Sequence, residues 1–483
     1  MTGALPPLLS ELSRPGRVGC DLPASDVPAA ALAAGLERRA LALPELSQLE
    51  VVRHFTNLSQ LNYSIDTTFF PLGSCTMKYN PRVNEHVARL PGLGDLHPLA
   101  DDADRQGALR LMYELQRYLA TIAGFDAVGL APAAGAQGEL TGLLMTRAYH
   151  AARGEGEQRR RVVTPDSAHG TNPATAAMAG YRLTEVPSDG DGDVDVEQLA
   201  SRLGPDVAAF MLTMPNTLGL FERRIEEIVR LVHGCGALLY LDGANMNALL
   251  GQTSPGALGF DLMHFNLHKT FSTPHGGGGP GAGPVAVRAA LAEFLPGPVV
   301  AETASGALTL VEPSRSVGAL SGFHGNFGVM LRAYAFIRAL GGEGLAEVSE
   351  AAVINANYLL ARLRGAYDVP FPRFCMHEAL LSGRGQRRHD IRTLDIAKRL
   401  LDYGYYAPTI YFPLVVEEAM LIEPTESETK EAIDAFCEAM LAIAREAEAT
   451  PELLRQAPQA TPVSRLDEAA AARRPILGWQ AGG

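Results

Sequence analysis

This chain of 483 residues has few cysteines, no long apolar run and no excess of positive charge. The five cysteines are widely spaced and free of a Cys-x-x-Cys pair, which argues against a disulfide framework and a zinc knuckle. No apolar run approaches the roughly 18 residues that a membrane-spanning helix needs. Residues 1–17 contain Glu11 and three prolines where a signal peptide has a continuous apolar stretch. We therefore expect a cytoplasmic protein that does not enter a membrane.

The charge balance is acidic, because 41 lysines and arginines stand against 54 aspartates and glutamates, a net charge of −13. Short basic clusters such as residues 159–161 do not build the positive stripe that binds nucleic acid. Apolar residues make up 47% of the chain and charged residues 20%, which is typical of globular proteins. We expect two or three domains and no nucleic-acid partner.

Composition and periodicity divide the chain into four segments. Residues 1–95 combine short helical stretches with many prolines and are expected to form an N-terminal arm. Residues 96–322 alternate short apolar runs with helical stretches, which predicts a large α/β domain with a mainly parallel sheet and flanking helices. Residues 323–450 predict a linking helix and a small α+β domain, and residues 451–483 form a tail rich in Ala, Pro and Arg.

The predicted strands are short apolar runs that suit a sheet buried on both faces. They are Val128–Leu130, Arg161–Val163, Arg182–Val186, Ala208–Leu212, Ala237–Leu241, Leu262–Asn266 and Pro284–Val287, with Thr409–Phe412 and Ala419–Ile422 in the small domain. The linking helix is predicted over Phe323–Leu340, ending at Gly341. A second helix is predicted over Thr393–Asp402 with a Thr cap, and a third from Thr425, whose spacing to Glu428 makes a capping box.

Ligands of open α/β sheets bind where strands end, so the residues after each apolar run are the candidates for chemistry. The run Ala237–Leu241 leads into Asp242, whose buried carboxylate needs a cationic partner. Twenty-seven residues on, another run leads into His268 and Lys269, and four glycines follow at 276–279. A lysine followed by four glycines, which have no side chains to block a ligand, is a candidate for covalent attachment of that ligand.

Two further loops follow predicted strands. The Gly135-Ala136-Gln137 turn opens a helix, and small residues there let backbone N–H groups face an anion. His169 lies after the run that ends at Val163. Each loop alone is a weak signal, but all four together match pyridoxal 5'-phosphate, which carries an aldehyde, a phosphate and a ring nitrogen.

Each candidate residue then has a predicted role. Lys269 would form the Schiff base, and Asp242 would keep the ring nitrogen protonated. The Gly135-Ala136-Gln137 turn would bind the phosphate, His169 would stack on the ring, and His268 is counted among the cofactor-binding residues. Lys269 or His169 could also move protons, so Lys269, His169 and Asp242 are the predicted catalytic residues.

Simpler roles remain open at this stage. Lys269 could be a surface lysine, and Asp242 could only cap a helix that starts at Ala244. His169 could be a hydrogen-bonding loop residue, and residues 134–138 an ordinary helix start. Cys75 could be an active-site thiol, although a plain loop cysteine is the preferred interpretation.

Two other kinds of site are not predicted. The glycines of residues 276–281 fit the letters of a dinucleotide-binding motif, but a strand-like run follows them instead of a helix. His264 and His268 have the spacing of metal ligands on a helix, but no third ligand with suitable spacing is evident. We predict no metal.

At these residues the chain resembles the P-protein of the glycine cleavage system, glycine decarboxylase. The matching stretches are Leu61–Asp66, Phe70–Pro81, Ser167–Ala174, Tyr240–Asn247 and Leu267–Phe271. The resemblance runs from about Leu49 to Ile476, and it covers the carboxyl half of the single-chain form of that enzyme. The chain thus looks like subunit 2 of the split, two-subunit form.

The resemblance implies pyridoxal-phosphate fold type I, with the cofactor lysine at Lys269. It implies that glycine is decarboxylated, that CO2 is released, and that the aminomethyl group passes to the lipoyl arm of the H-protein. It also implies a partner resembling the amino half, subunit 1, in an α2β2 heterotetramer. Two rival hypotheses are another enzyme of fold type I, such as an aminotransferase or aldolase, and a non-catalytic subunit that keeps the fold for assembly.

Overall fold

The structure is a computed structural model that describes residues 5–36, 43–275 and 281–478. The four glycines at 276–279, which the sequence places after Lys269, lie outside these described residues. Within the described ranges, every helix is too short or too polar to span a lipid bilayer.

Helices and strands alternate through most of the chain. The α-helices are α1 Leu9–Leu12, α2 Gln48–Ser59, α3 Arg82–Ala88, α4 Pro91–Gly94, α5 Gln106–Ala123, α6 Gly135–Ala152, α7 Thr171–Met178, α8 Val196–Arg202, α9 Ile225–Gly234, α10 Pro255–Leu258, α11 Leu267–Thr270, α12 Phe327–Leu363, α13 Thr393–Asp402, α14 Lys430–Ala449, α15 Glu452–Gln456 and α16 Glu468–Arg473. The strands are β1 Ala127–Gly129, β2 Arg161–Pro165, β3 Arg182–Val186, β4 Val207–Thr213, β5 Leu238–Gly243, β6 Leu262–Phe265, β7 Val285–Val287, β8 Val299–Glu302, β9 Leu308–Val311, β10 Ala379–Ser382, β11 Thr409–Ile410 and β12 Ala419–Ile422.

Seven strands form the central sheet in the order β1-β7-β6-β5-β4-β2-β3. The four pairings among β2 to β6 are parallel, and only the two pairings made by β7 are antiparallel. Each of the seven predicted runs overlaps one of these strands. The predicted α/β class with a mainly parallel sheet is therefore confirmed.

The sheet is buried on both faces, as its apolar runs require. All residues of β4 and of β5 are buried. Helix α5 shows how the flanking helices form, because Met112, Leu115 and Leu119 recur every three or four residues and are all buried in one core with residues of the sheet. Burying each such leucine contributes roughly 1.5–3 kcal/mol. The helix ends at Gly124, whose φ of 73° is a left-handed cap that glycine adopts without strain.

The segment predicted as the small domain, residues 323–450, contains an antiparallel sheet in the order β10-β12-β11, and we keep this name for the segment. Helix α14 packs on this sheet through side chains such as Phe436. Phe69, far earlier in the chain, meets Phe436 edge to face with ring centroids 4.8 Å apart. Leu72 also forms an isolated bridge with Ile422. The segment that precedes the large domain is therefore anchored in the core of the small domain.

The linking helix ends where the sequence predicts, and a second helix follows it directly within α12. Helix α12 begins at Phe327, and Gly341 interrupts it with a φ of 64° and a ψ of −171°. The predicted helix end at Gly341 is therefore confirmed, and the predicted start at Phe323 is wrong by four residues. A second helical stretch follows at once because residues such as Leu345 and Val348 supply a new buried face.

The predicted capping box at Thr425 is wrong. Helix α14 begins at Lys430, and its N-cap is Thr429, whose side chain accepts the N–H of Ala432 at 3.2 Å. Thr425 has a φ of 63°, and Asn355 of α12 donates to its carbonyl oxygen at 2.9 Å. This long-range contact holds the segment as a loop.

Helix α13 has the predicted bounds, but Thr393 does not cap it. The Thr393 hydroxyl donates instead to the carbonyl oxygen of Glu418 at 2.9 Å. The cap position belongs to Arg392, whose N–H donates to the carboxylate of Asp395 at 2.9 Å. The tertiary contact to Glu418 thus replaces the local capping bond that the sequence suggests.

Candidate active site

Two neighbouring parallel strands carry the central pair of candidate residues. Asp242 is the penultimate residue of β5, and its partner on β6 is His264. The chain then turns from β6 into the short helix α11, which carries Lys269. Because parallel strands end at the same edge of the sheet, Asp242 and Lys269 lie beside one cavity.

This cavity has a volume of about 190 Å³. Six of the seven predicted site residues line it, and they are Gly135, Ala136, His169, Asp242, His268 and Lys269. The remaining one, Gln137, is not part of the lining. Its side chain accepts the N–H of Ala133 at 2.5 Å and donates to the carbonyl oxygen of Leu320 at 3.1 Å. These two hydrogen bonds stabilise the turn on the side away from the cavity.

Asp242 is buried but well supplied with hydrogen-bond donors. It is 2% exposed, and its carboxylate accepts the N–H of Ala244 at 3.0 Å and the amide of Asn172 at 3.1 Å. Burial raises the pKa of Asp242, but His264, the two hydrogen bonds and Lys269 together outweigh burial and lower it. The carboxylate therefore stays ionised and can hold a proton on a ligand atom in front of it.

His264 is fixed behind Asp242 by a second buried residue. The Tyr240 hydroxyl lies 2.7 Å from His264 Nδ1, and His264 Nε2 lies 3.4 Å from the Asp242 carboxylate. The ionised Asp242 carboxylate favours the tautomer of His264 that carries the proton on Nε2. In this tautomer Nδ1 is free to accept the Tyr240 hydroxyl.

Glu139 is a site residue that the sequence analysis missed. It is 3% exposed, and it accepts the Thr171 hydroxyl at 2.7 Å and the Asn172 amide at 2.9 Å. Burial, reinforced by the charge of Asp242, raises the pKa of Glu139 to about 7. Because the Asn172 amide also donates to Asp242, it joins the two carboxyl groups. A carboxylate in the first turns of a helix of small residues is the sequence signal that could have found it.

Lys269 is partly buried, and its ammonium contacts the segment that precedes the large domain. Its Nζ donates to the carbonyl oxygen of Ser74 at 2.7 Å. Lys78, in the same segment, is 4% exposed, and its Nζ donates to the carbonyl oxygen of Thr270 at 2.8 Å. Cys75 lies between Ser74 and Lys78 in the sequence. Burial raises the pKa of its thiol, so Cys75 is not an activated nucleophile. The sequence analysis gave Lys78 no role, yet it holds the residue after Lys269.

His169 lies exposed at the rim of the cavity. Its Nδ1 is 2.8 Å from the Thr171 hydroxyl, and its ring meets Phe412 edge-on with centroids 5.7 Å apart. The hydrogen bond fits the simpler role of a loop residue, and the position at the cavity fits ring stacking.

His268 is held as a neutral group. Its Nδ1 accepts the N–H of Ala282 at 3.4 Å, and its ring is edge-on to His275 at 5.3 Å. Burial, with the nearby His275 and Lys269, lowers the pKa of His268 to about 3. It therefore offers a hydrogen bond, and no positive charge, to a ligand in the cavity.

The start of α6 forms an anion cradle. Helix α6 begins at Gly135, and its N-cap residue, Ala134, has no side chain that could cap the helix. A Cβ atom on Gly135 would lie 2.2 Å from Asn266 Oδ1, so this position has room only for glycine. The N–H groups of the first helical turn at Gly135 and Ala136 thus border the cavity, and no side chain of the described residues is bonded to them.

The fold and the site together define a class. Residues 144–300 match the family model described as aminotransferase class-V. The fold is similar to a crystal structure of glycine decarboxylase (P-protein) of the glycine cleavage system in inhibitor-bound form, with a TM-score of 0.73, 24% identity and coverage of 84% of this chain and 92% of that one. It is also similar to a NifS-like protein, with a TM-score of 0.61, 18% identity and coverage of 78% and 99%. The chain has the fold of pyridoxal-phosphate enzymes of fold type I.

Sequence comparison narrows this class to one family. Residues 348–461 match the model described as glycine dehydrogenase, C-terminal domain. The chain is 56% identical to the probable glycine dehydrogenase (decarboxylating) subunit 2 of Chlorobium chlorochromatii, over 97% of this chain and 98% of the relative. It is also 56% identical to the protein of the same name from Exiguobacterium sibiricum, over 98% and 97%. The chain belongs to the glycine dehydrogenase (decarboxylating) subunit 2 family.

Proposed function

We propose that this chain binds pyridoxal 5'-phosphate, decarboxylates glycine, and passes the remaining aminomethyl group to the lipoyl arm of the H-protein. One observation carries the proposal. An ionised, buried Asp242 and the amine-bearing Lys269 border the same cavity, in a chain that is 56% identical to relatives named for glycine decarboxylation.

The residues of the cavity fit this cofactor. Asp242 offers a buried negative charge for the ring nitrogen, and Lys269 offers an amine for the aldehyde. The first turn of α6 offers N–H groups for the phosphate. Two buried polar atoms of the lining, Thr213 Oγ1 and Asn266 Oδ1, have no hydrogen-bond partner among the described residues, which a polar ligand would remedy.

The cofactor supplies an electron sink for the bond that breaks when CO2 leaves. The chain's own residues set the conditions for that step. Asp242 holds a proton at the ring nitrogen, and the amide of Asn172 keeps the carboxylate oriented. Lys269 would anchor the cofactor, and its amine lines the cavity, where it could also move a proton.

The proposed reaction requires an entrance to the cavity for the lipoyl arm and a partner subunit. The exposed position of His169 at the cavity rim marks the side from which a flexible lipoyl arm would enter. The name "subunit 2" of the relatives supports a partner, subunit 1, which we propose resembles the amino half of the single-chain enzyme in an α2β2 heterotetramer. We place this assembly in the cytoplasm.

Exchange of label between bicarbonate and the carboxyl group of glycine tests the proposal. The chain is produced together with subunit 1, and lipoylated H-protein is added. We expect exchange that needs both glycine and the lipoyl carrier, and an aminomethyl adduct on the carrier by mass spectrometry. Formation of a keto acid would point to an aminotransferase instead, and failure to bind cofactor in the presence of subunit 1 would point to a non-catalytic subunit.

A matched pair of variants connects that activity to the site. Lys269→Ala removes the proposed anchor and is expected to abolish exchange. Lys430→Ala removes an exposed lysine that pairs with Asp434, lies over the Tyr358 ring and does not line the cavity, and it is expected to leave exchange unchanged. Equal exchange by both variants would show that the activity does not depend on Lys269.

A further inference from the structure

A turn of the N-terminal segment, residues 73–76, is tied to two carboxyl groups of the small domain. The N–H of Ser74 donates to Glu378 at 2.7 Å, and the N–H of Thr76 donates to Glu423 at 2.9 Å. Ser74 and Thr76 have φ angles of 65° and 49°. Non-glycine residues adopt this left-handed conformation at a cost, so the surrounding contacts have to hold it.

The same turn faces the candidate active site with its carbonyl groups. The carbonyl oxygen of Ser74 accepts the Lys269 ammonium at 2.7 Å, and that of Cys75 lies 2.9 Å from His275 Nε2. The two glutamates therefore accept hydrogen bonds from the N–H groups of the turn, while Lys269 donates to one of its carbonyl groups. The position of the Ser74 carbonyl depends on both sets of hydrogen bonds.

Glu378 and Glu423 are crowded as well as buried. Both side chains are fully buried, and Oε1 of each has no hydrogen-bond partner among the described residues. One ligand atom from each of Glu378, Glu423 and His377 lies within 4.8 Å of the other two. Burial lowers the pKa of His377 to about 3, so this neighbour is neutral and balances no negative charge.

Two carboxylates this close in a buried site repel each other strongly, and ionising both is unfavourable. Burial raises the pKa of Glu423 to about 7, although Thr76 and Lys269 act against it. Burial, followed by the charge of Glu423, raises the pKa of Glu378. The other titratable groups that act on the pair are Cys75, Lys269 and Glu426, and of these only the Lys269 ammonium favours ionisation.

We propose that Glu378 and Glu423 retain one proton between them at neutral pH and act as positioning residues, fixing the turn 73–76 so that the Ser74 carbonyl meets Lys269. The significance of this position rests on the proposed function of Lys269. The proton belongs to the pair, because the two groups titrate together.

Infrared spectroscopy of the full chain without cofactor tests the proton directly. A protonated carboxylic acid has a carbonyl band that shifts in deuterated water, and a carboxylate does not have this band. We expect the difference spectrum between the wild type and the double variant Glu378→Gln/Glu423→Gln at pH 7 to show the loss of one such band. An unchanged spectrum in the double variant would overturn the shared proton.

Cofactor affinity, measured by spectral titration, tests the positioning. A glutamine at either site is neutral and can still accept the backbone N–H, so the Gln variants should bind pyridoxal phosphate as the wild type does. Glu378→Ala and Glu423→Ala should bind it more weakly. The matched control is Glu418→Ala, which removes another buried carboxyl of the small domain that accepts a backbone N–H, from Thr393 at 2.7 Å, and should leave affinity unchanged.

Two results would contradict the inference without touching the function proposed for Lys269. One is wild-type affinity in both Ala variants. The other is a divalent metal that copurifies in a one-to-one ratio and is lost in Glu423→Gln, since a histidine and two carboxylates also suit such an ion. Conversely, the infrared result can hold even if Lys269 proves not to be the cofactor lysine, so the two failures are distinguishable.

Discussion

The side-chain nitrogen of Lys78 donates to the main-chain carbonyl of Thr270 at 2.8 Å. A lysine from the segment before the large domain thus holds the residue that follows Lys269. Its ammonium also donates to Asn247 at 2.8 Å and forms a salt bridge with Glu426 at 2.7 Å. Three parts of the chain, distant in sequence, therefore meet beside the candidate cofactor lysine.

Lys78→Met is expected to destabilise the protein by about 3–5 kcal/mol, because it leaves Glu426 as an uncompensated charge in a largely buried site. The double variant Lys78→Met/Glu426→Gln removes both charges and should recover part of the lost stability. Chemical denaturation of the wild type, the two single variants and the double variant measures these free energies of unfolding. If the loss in the double variant equals the sum of the losses in Lys78→Met and Glu426→Gln, the charge pair is not the cause.

Asp242→Asn is expected to keep the cofactor bound but to lower glycine–bicarbonate exchange by roughly 10²–10⁴-fold, since a neutral amide cannot hold the ring-nitrogen proton. Cofactor absorbance and exchange rate are measured side by side. Asp206→Asn, which alters an ion pair with Arg161 at the protein surface, is the control. Normal exchange in Asp242→Asn would remove the role proposed for this carboxylate.

Glu139→Gln is expected to flatten the dependence of stability on pH. Burial and Asp242 raise the pKa of Glu139 from 4.5 to about 7. A raised pKa in the folded state stabilises fully below pH 4.5, and this stabilisation is lost as the pH rises through about 7. The free energy of unfolding should therefore fall less between these pH values in the variant than in the wild type. Parallel curves for the two proteins would mean that Glu139 titrates normally.

Gly135→Ala is expected to destabilise by about 1–3 kcal/mol and to weaken cofactor binding, because the new methyl group would overlap Asn266. Gly107→Ala in α5 is the matched control, since a Cβ there meets nothing within 4 Å. That control should be neutral or slightly stabilising. Thermal unfolding and cofactor titration of both variants check the prediction, and equal behaviour would contradict the close fit at Gly135.

The parts of the site that follow local sequence patterns could be predicted from the sequence. Buried parallel strands appear as apolar runs, so the polar residues at their ends, Asp242 and Lys269, stand out without any tertiary information. Gly135 and Ala136 were found in the same way. Gln137 was grouped with them by position, but the helix turns its side chain away from the cavity lining.

The parts that depend on long-range contacts could not be predicted. Ser74 and Glu378 are 304 residues apart in the chain, and nothing local marks either as a partner of the other. The capping box at Thr425 has the right letters, but the contact with Asn355 decides its conformation. Glu139 has a local signal, a carboxylate early in a helix of small residues, but its hydrogen bonds with Thr171 and Asn172 could not be predicted because only the fold brings those residues near.

The most direct test of the whole account is to find the residue that carries the cofactor. The holoprotein is reduced with borohydride, digested and examined by mass spectrometry. We predict that the peptide containing Lys269 carries the mass of reduced pyridoxal phosphate, and that Lys269→Ala carries none. A label on another lysine, or a label that persists in Lys269→Ala, would contradict the account.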